Sequence, residues 1–189
     1  KIRYLRARNQ IRFKNQMFLM TVGLLKEPAY ETRVSLLAES VAALTKKGIR
    51  VLVETGAGDK AFCSDADYIS AGAVLASRNE VIQSAEIILS IHLPAADEIN
   101  PLSGKVIIGV YQPLYNTDTV KQWAIANITC FSLDMLPRTT RAQAMDVLSS
   151  QANIAGYKAV LTAATLYPRY FPMFMTAAGS IKPAKVMIL

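Results

Sequence analysis

The stretch "MTVGLLKEPAYETRVSLLAESVAALTKKGIRVLVE", Met20 to Glu54, sets the fold class of the chain. Its first six residues form a short apolar run that reads as a strand. "VSLLAESVAALTKKG" follows, amphipathic at helical spacing, with Lys46 and Lys47 near its end and Gly48 as a stop. "IRVLVE" is a second apolar run. Strand, helix and strand in this order make a βαβ unit, and such units build parallel sheets. The strands are almost continuously apolar, as strands buried on both faces require.

The pattern continues outward from this unit. A loop "TGAGDKAFCSD" leads to a helix at Asp65 to Ala71 and a short strand near Ala73 to Leu75. "EIILSI" (Glu86 to Ile91) and "KVIIGV" (Lys105 to Val110) are further strands. A helix near Thr117 to Ala126 precedes a strand "ITCFSL" (Ile128 to Leu133). A long helix is expected from about Thr140 to Leu166, then a turn and one more apolar strand, Lys185 to Leu189.

Composition narrows the class. The chain has 189 residues, 52% hydrophobic and 19% charged, so a packed core is expected rather than disorder. Six of the 21 Lys/Arg residues lie before residue 20 with no acid among them. The other 15 face 14 Asp/Glu, so the net charge of +7 describes a basic tail and not a nucleic-acid-binding surface. That tail, residues 1–19, reads as an extension outside the fold; a membrane-surface arm, an RNA-binding arm or a transit peptide are its functional readings. Cys63 and Cys130 form no CxxC and read as reduced structural thiols. His92 is the single histidine, which excludes a multi-histidine metal centre, and no metal site is expected. No apolar run approaches the ~18 residues of a membrane span, so no direct span is expected.

Three local patterns carry possible chemistry. "TGAGDKAF", Thr55 to Phe62, has two glycines after a strand, but Ala61 stands where G-x-G-x-x-G needs its third. These read as turn glycines. Lys26, Glu27, Glu31 and Arg33 cluster directly after the first strand, where they either face a cleft or form a solvated ion-pair network. His92 ends a strand, where open α/β sheets place ligands, but no Ser or Cys is placed as its partner and it reads as structural.

The long helix carries the strongest pattern. In "LPRTTRAQAMDVLSSQANIAGYKAV", Leu136 to Val160, Gln143, Asp146, Ser150, Asn153 and Tyr157 recur at spacings of 3 and 4 and make one polar stripe. Apolar residues flank it, so the helix is expected to be buried and the stripe to need partners. Thr140 and Gln143 fit a capping box at its start. Arg138 lies just before a helix N-terminus, which favours an anion: a dinucleotide or an internal carboxylate.

These segments also resemble a known family. "PRTTRAQAMDVLSSQANIAGYKAV" with "TAAGSIKPAKVMIL" resembles the NAD(H)-binding alpha subunit of proton-translocating NAD(P) transhydrogenase. "VGLLKEPAYETRVSL" and "VLVETGAGDKAFCSDADYISAGA" resemble the N-terminal domain shared by transhydrogenase and alanine dehydrogenase. The resemblance implies an α/β fold: a Rossmann-like or flavodoxin-like parallel sheet in a first lobe (20–139), then a long linking helix and the truncated start of a second Rossmann lobe (140–189). It implies hydride transfer between NAD(H) on this component and NADP(H) on a partner component. It further implies a homodimer docked to the membrane and NADP(H)-binding components, on the cytoplasmic side of the inner membrane.

Carried over residue by residue, Arg138, Asp146 and Ser149 orient the nicotinamide and Gln143 faces the NADP(H)-bearing partner, which makes Gln143 and Asp146 the residues closest to the chemistry. The family's G-x-G-x-x-G, which follows Leu189 in the pattern, is not in this sequence, so the stretch alone is expected to bind NAD weakly and to be inactive. Two alternatives stand beside this reading. One is an alanine-dehydrogenase-like oxidoreductase, opposed by Ser90 and Gln112 where that enzyme's pattern has Lys and His. The other is a non-catalytic dimerisation or docking lobe.

Overall fold

The computed structural model describes residues 20–188; the basic tail and Leu189 lie outside them. The described chain forms two compact units that divide between Pro137 and Arg138.

The first unit is an α/β sheet. Its elements are β1 (Met20–Leu24), α1 (Ala38–Thr45), β2 (Ile49–Glu54), α2 (Asp65–Ser70), β3 (Val74–Ala76), α3 (Arg78–Ser84), β4 (Ile87–Leu89), β5 (Val106–Gly109), α4 (Thr117–Ile125) and β6 (Thr129–Ser132). Every strand pair is parallel, and the order is β3-β2-β1-β4-β5-β6. The order reverses between β1 and β4, which opens a crevice at the carboxyl ends of those two strands.

Strand alternation divides the core into two layers. Val51 and Val53 of β2 pack with Val41 of α1 and Tyr68 of α2. Leu52, between them, joins Val81 and Ile82 of α3 and Trp123 of α4 on the other face. Each fully buried aliphatic side chain contributes roughly 1.5–3 kcal/mol. β1 lies so close to α3 that a Cβ on Gly23 would stand 2.7 Å from Val81, 2.8 Å from Ala85 and 2.9 Å from Ile88.

Two elements differ from the sequence expectation. α1 starts at Ala38 rather than Val34, because Leu37 is extended and the segment before it is tied down elsewhere. The Tyr68 hydroxyl donates to the Leu36 carbonyl at 2.7 Å, and Ser35 donates to Glu27. α3 escaped the sequence reading altogether. It is nucleated by a capping box in which Ser77 and Glu80 satisfy each other's backbone N–H groups.

The second unit holds a 3₁₀ turn (Thr140–Met145), α5 (Val147–Leu166) and an antiparallel hairpin of β7 (Phe174–Thr176) and β8 (Gly179–Ile181). Three expectations are corrected here. The long helix begins at Val147, not Thr140, and none of its residues is buried among the described residues. Residues 182–188 contain no strand. A lone parallel strand has no neighbour to bond, whereas "GSI" finds an antiparallel partner in "FMT" through a short turn.

Candidate functional site

The crevice at the β1–β4 reversal is lined by charged side chains from four segments. Two clefts, of about 290 and 360 Å³, flank the Lys26–Glu27 segment that leaves β1. Glu27 joins the two strand ends: its carboxylate accepts from the Ile91 N–H at 2.6 Å and the His92 N–H at 3.1 Å, and from the Ser35 hydroxyl. Two backbone donors that the end of β4 leaves open are thus satisfied by one side chain.

Arg78, the first residue of α3, is the hub of the wall of the 290 Å³ cleft. Its guanidinium donates to Glu54 at 2.9 Å, to the Lys26 carbonyl at 3.0 Å, and through two nitrogens to both oxygens of Glu98. Glu54 in turn accepts from the Lys26 N–H at 2.8 Å. Glu98 accepts from the Ala95 N–H at 3.0 Å. Burial pushes the Glu98 carboxyl up, but the bonds from Arg78 and Ala95 outweigh it and the net shift is downward. Arg78, Glu54 and Glu98 are site residues that sequence reasoning missed. The Ser77–Glu80 capping signal would have located Arg78, although nothing local pointed to its partners.

Lys26, Glu27, Glu31 and Arg33, which composition left open between cleft and ion-pair network, all line the clefts, and of the four only Glu31 and Arg33 form an ion pair among the described residues. Glu31 accepts from Arg33 at 2.6 Å and from His92 Nε2 at 2.8 Å, and Tyr30 sits edge-on to the imidazole. Hydrogen bonding from Arg33 holds the Glu31 carboxyl far below the usual carboxylate range, against the opposing pull of burial. His92 is a partnered side chain at a strand end, in keeping with the structural reading.

A pH dependence follows from Glu31. A depressed folded-state pKa adds stability above the group's ordinary value and loses it as the pH falls through the folded value. Thermal denaturation of Glu31→Gln should therefore show a deficit against the wild type at pH 7 that narrows steadily below pH ~4.5. A deficit independent of pH would show that Glu31 acts through shape alone.

Arg138, Gln143, Asp146 and Ser149 lie in the second unit. Asp146 is the N-cap of α5: its carboxylate accepts from the Ser149 N–H at 3.0 Å and from the Ser149 hydroxyl at 2.6 Å. The expected Thr140–Gln143 capping box is not formed. The 3₁₀ turn has Thr139 at its start with no side-chain cap, and Gln143 precedes the helix instead of lying on its stripe. Asp bonded locally to Ser is a stronger helix start than Thr with Gln. The Ser149 bonds and the nearby charge of Arg138 lower the Asp146 pKa. Asp146, Ser149 and Arg138 are thus brought together, while the exposed Gln143 meets them only through its backbone, its carbonyl accepting the Asp146 N–H.

Ser90 and Gln112 offer neither ammonium nor imidazole. Ser90 is buried, donates to the His92 carbonyl at 3.0 Å and lies 3.0 Å from the Tyr111 hydroxyl. Gln112 is held at φ 47° just before Pro113, with its carbonyl accepting from Tyr115 and Asn116.

Known proteins resemble the chain as follows. The model of the family "Alanine dehydrogenase/PNT, N-terminal domain" matches residues 23–155. The NAD(P) transhydrogenase subunit alpha of Cereibacter sphaeroides is 39% identical over 161 residues, which are 84% of this chain and 31% of that protein. The crystal structure of transhydrogenase from Sinorhizobium meliloti superposes with a TM-score of 0.80 at 43% identity, over 87% of this chain and 50% of that one. An L-alanine dehydrogenase structure superposes with a TM-score of 0.57 at 26% identity, over 60% of this chain and 32% of that one. The chain spans half or less of the length of these relatives.

Proposed function

The chain belongs to the family of the alanine dehydrogenase/PNT N-terminal domain, and from that premise we propose that it is part of the NAD(H)-binding component of a proton-translocating, Re/Si-specific transhydrogenase. The observation that carries this reading is the gap between the two branches of the family. Likeness to transhydrogenase runs through 87% of the chain at 43% identity, and likeness to alanine dehydrogenase through 60% at 26%. The buried, internally bonded Ser90 supports the same branch, since it supplies no cation for an amino-acid carboxylate.

The second-unit residues suit the nicotinamide end of the cofactor. A carboxamide presents N–H donors and one carbonyl acceptor; the Asp146 carboxylate and the Arg138 guanidinium are the complementary pair. Asp146 retains acceptor capacity beyond its bonds to Ser149. When bound, NAD(H) supplies or takes the hydride. Arg138, Asp146 and Ser149 orient its ring, and Gln143, exposed ahead of the helix, faces the partner that carries NADP(H). Positioning of two rings then supplies most of the rate.

Under the same proposal residues 20–139 are the first lobe and 140–189 the linking helix and the beginning of the second. The full protein is a homodimer held on the cytoplasmic side of the inner membrane by its membrane components. Among the described residues no helix is long and apolar enough to cross a membrane.

The test uses the full-length protein. Asp146→Asn keeps a capping side chain but removes the charge, and Gln143→Ala removes no bond that its side chain makes to the described residues. Each should lower hydride transfer from NADH to an NADP analogue at least tenfold, with the melting temperature within about 2 °C of wild type. Parallel loss of rate and melting temperature would assign both residues to the stability of the fold and discard the nicotinamide role.

A further inference from the structure

The cleft of about 360 Å³ between the β1 and β2 ends has a feature that hydride transfer does not use. Lys26 is clamped through its backbone at both ends: its N–H donates to Glu54 and its carbonyl accepts from Arg78. The clamp is a charged network, yet it leaves the Lys26 ammonium with no hydrogen-bond or ion-pair partner among the described residues. The same holds for the carboxylate of Asp59, which comes from the following loop. Both reach over Gly56. A Cβ at that position would lie 3.1 Å from Lys26 Nζ and 2.9 Å from Asp59 Oδ2, and φ of 73° keeps the position for glycine.

The other charges around this cleft are engaged. Lys60 donates to the Ala29 carbonyl. Arg33 pairs with Glu31, and Glu27 is taken by the Ile91 and His92 N–H groups. One ammonium and one carboxylate therefore remain, facing each other across a bare glycine floor without pairing. Backbone anchoring of a polar side chain by a second layer of bonds is the arrangement that preorganises a binding group.

We propose that Lys26 and Asp59, over Gly56, form a binding subsite for a small hydroxycarboxylate. The ligand's carboxylate pairs with Lys26 Nζ, and its neighbouring hydroxyl donates to Asp59. Lys26, the cation of this cleft with no partner among the described residues, matches one negative charge, and the acids around it disfavour a dianionic phosphate. The site lies within the first unit and is independent of the nicotinamide reading.

The test is an amide-resolved NMR titration of the isotopically labelled chain, in a carboxylate-free buffer at low salt. Glycolate should give saturable shifts at Lys26, Gly56 and Asp59 with a dissociation constant on the order of 1–10 mM. Glycolamide, which lacks the charge, acetate, which lacks the hydroxyl, and inorganic phosphate should each bind at least fivefold more weakly. Lys26→Met should weaken glycolate at least tenfold with an unchanged spectrum elsewhere. Asp59→Asn should reduce the preference of glycolate over acetate. The proposal fails if glycolate does not saturate, if any of the three comparison compounds binds as well as glycolate, or if Lys26→Met binds like the wild type.

Discussion

Replacing Arg78 by Met should destabilise the first unit by about 2–4 kcal/mol, a loss of roughly 10 °C in melting temperature. The size follows from what is left behind. Glu54 and Glu98 keep only 15% and 13% of their side-chain exposure, and Arg78 is their shared cation. Met preserves most of the aliphatic volume, so the change isolates the charge. Two carboxylates would then stay in a half-buried cleft with nothing but backbone N–H groups to hold them, and removal of one partner from a buried network costs more than the pair itself contributes. The Lys26 carbonyl would also lose its donor. Because Arg78 is itself 35% exposed, the loss lies toward the lower part of the range for fully buried networks. The deficit should be largest near neutral pH and shrink in acid. Glu98 has a lowered folded-state pKa in the wild type, so its contribution is present above its ordinary value and fades as pH falls. A variant within 0.5 kcal/mol of wild type, the scale of ordinary surface substitutions, would mean the network is solvated and contributes little. A deficit equal at pH 7 and pH 4 would mean that lost packing, not charge, is responsible.

The same network shows where sequence reading stops. The sheet was legible because its strands are short, apolar and buried on both faces, so "IRVLVE" or "KVIIGV" has few other ways to fold. α3 was not, because "SRNEVIQS" holds only two core residues, Val81 and Ile82, and is too short to show a helical stripe. The Lys26–Arg33 cluster was visible as a cluster. What gives it a shape is contact with Glu54, Arg78, Glu98 and His92, which are many residues away, and no local pattern encodes such pairs. The start of α5 failed for another reason. Apolar spacing runs unbroken from Thr140 to Leu166, and periodicity cannot see that Asp146 bonds to Ser149 and starts the helix about two turns later. That correction also moves Gln143 off the polar stripe and leaves Asp146 and Ser149 as a bonded pair at a helix N-terminus.

Substituting Val for Gly23 should destabilise the first unit by about 3 kcal/mol, at the upper end of what overpacking costs. Gly23 sits in the middle of β1, which pairs with β2 on one side and β4 on the other. The strand reading of "MTVGLL" treated it as one apolar position among several, and propensity alone would welcome Val there. Contact geometry says the opposite. A single Cβ would already meet Val81, Ala85 and Ile88 at distances no real Cβ adopts. Val81 and Ile88 can rotate their methyl groups, but the Ala85 Cβ is fixed to the end of α3 and moves only with the helix. α3 begins with Arg78, so a helix pushed off the sheet also loosens the guanidinium from Glu54 and the Lys26 carbonyl. The double variant Gly23→Val with Val81→Ala should recover part of the loss, because one of the three clashes goes while the cavity left by Val81 is filled from the strand. Strictly additive effects of the two changes would show that they do not share that space, and a Gly23→Val protein as stable as the wild type would show that the strand and the helix are not held at the closeness on which the charged clamp depends.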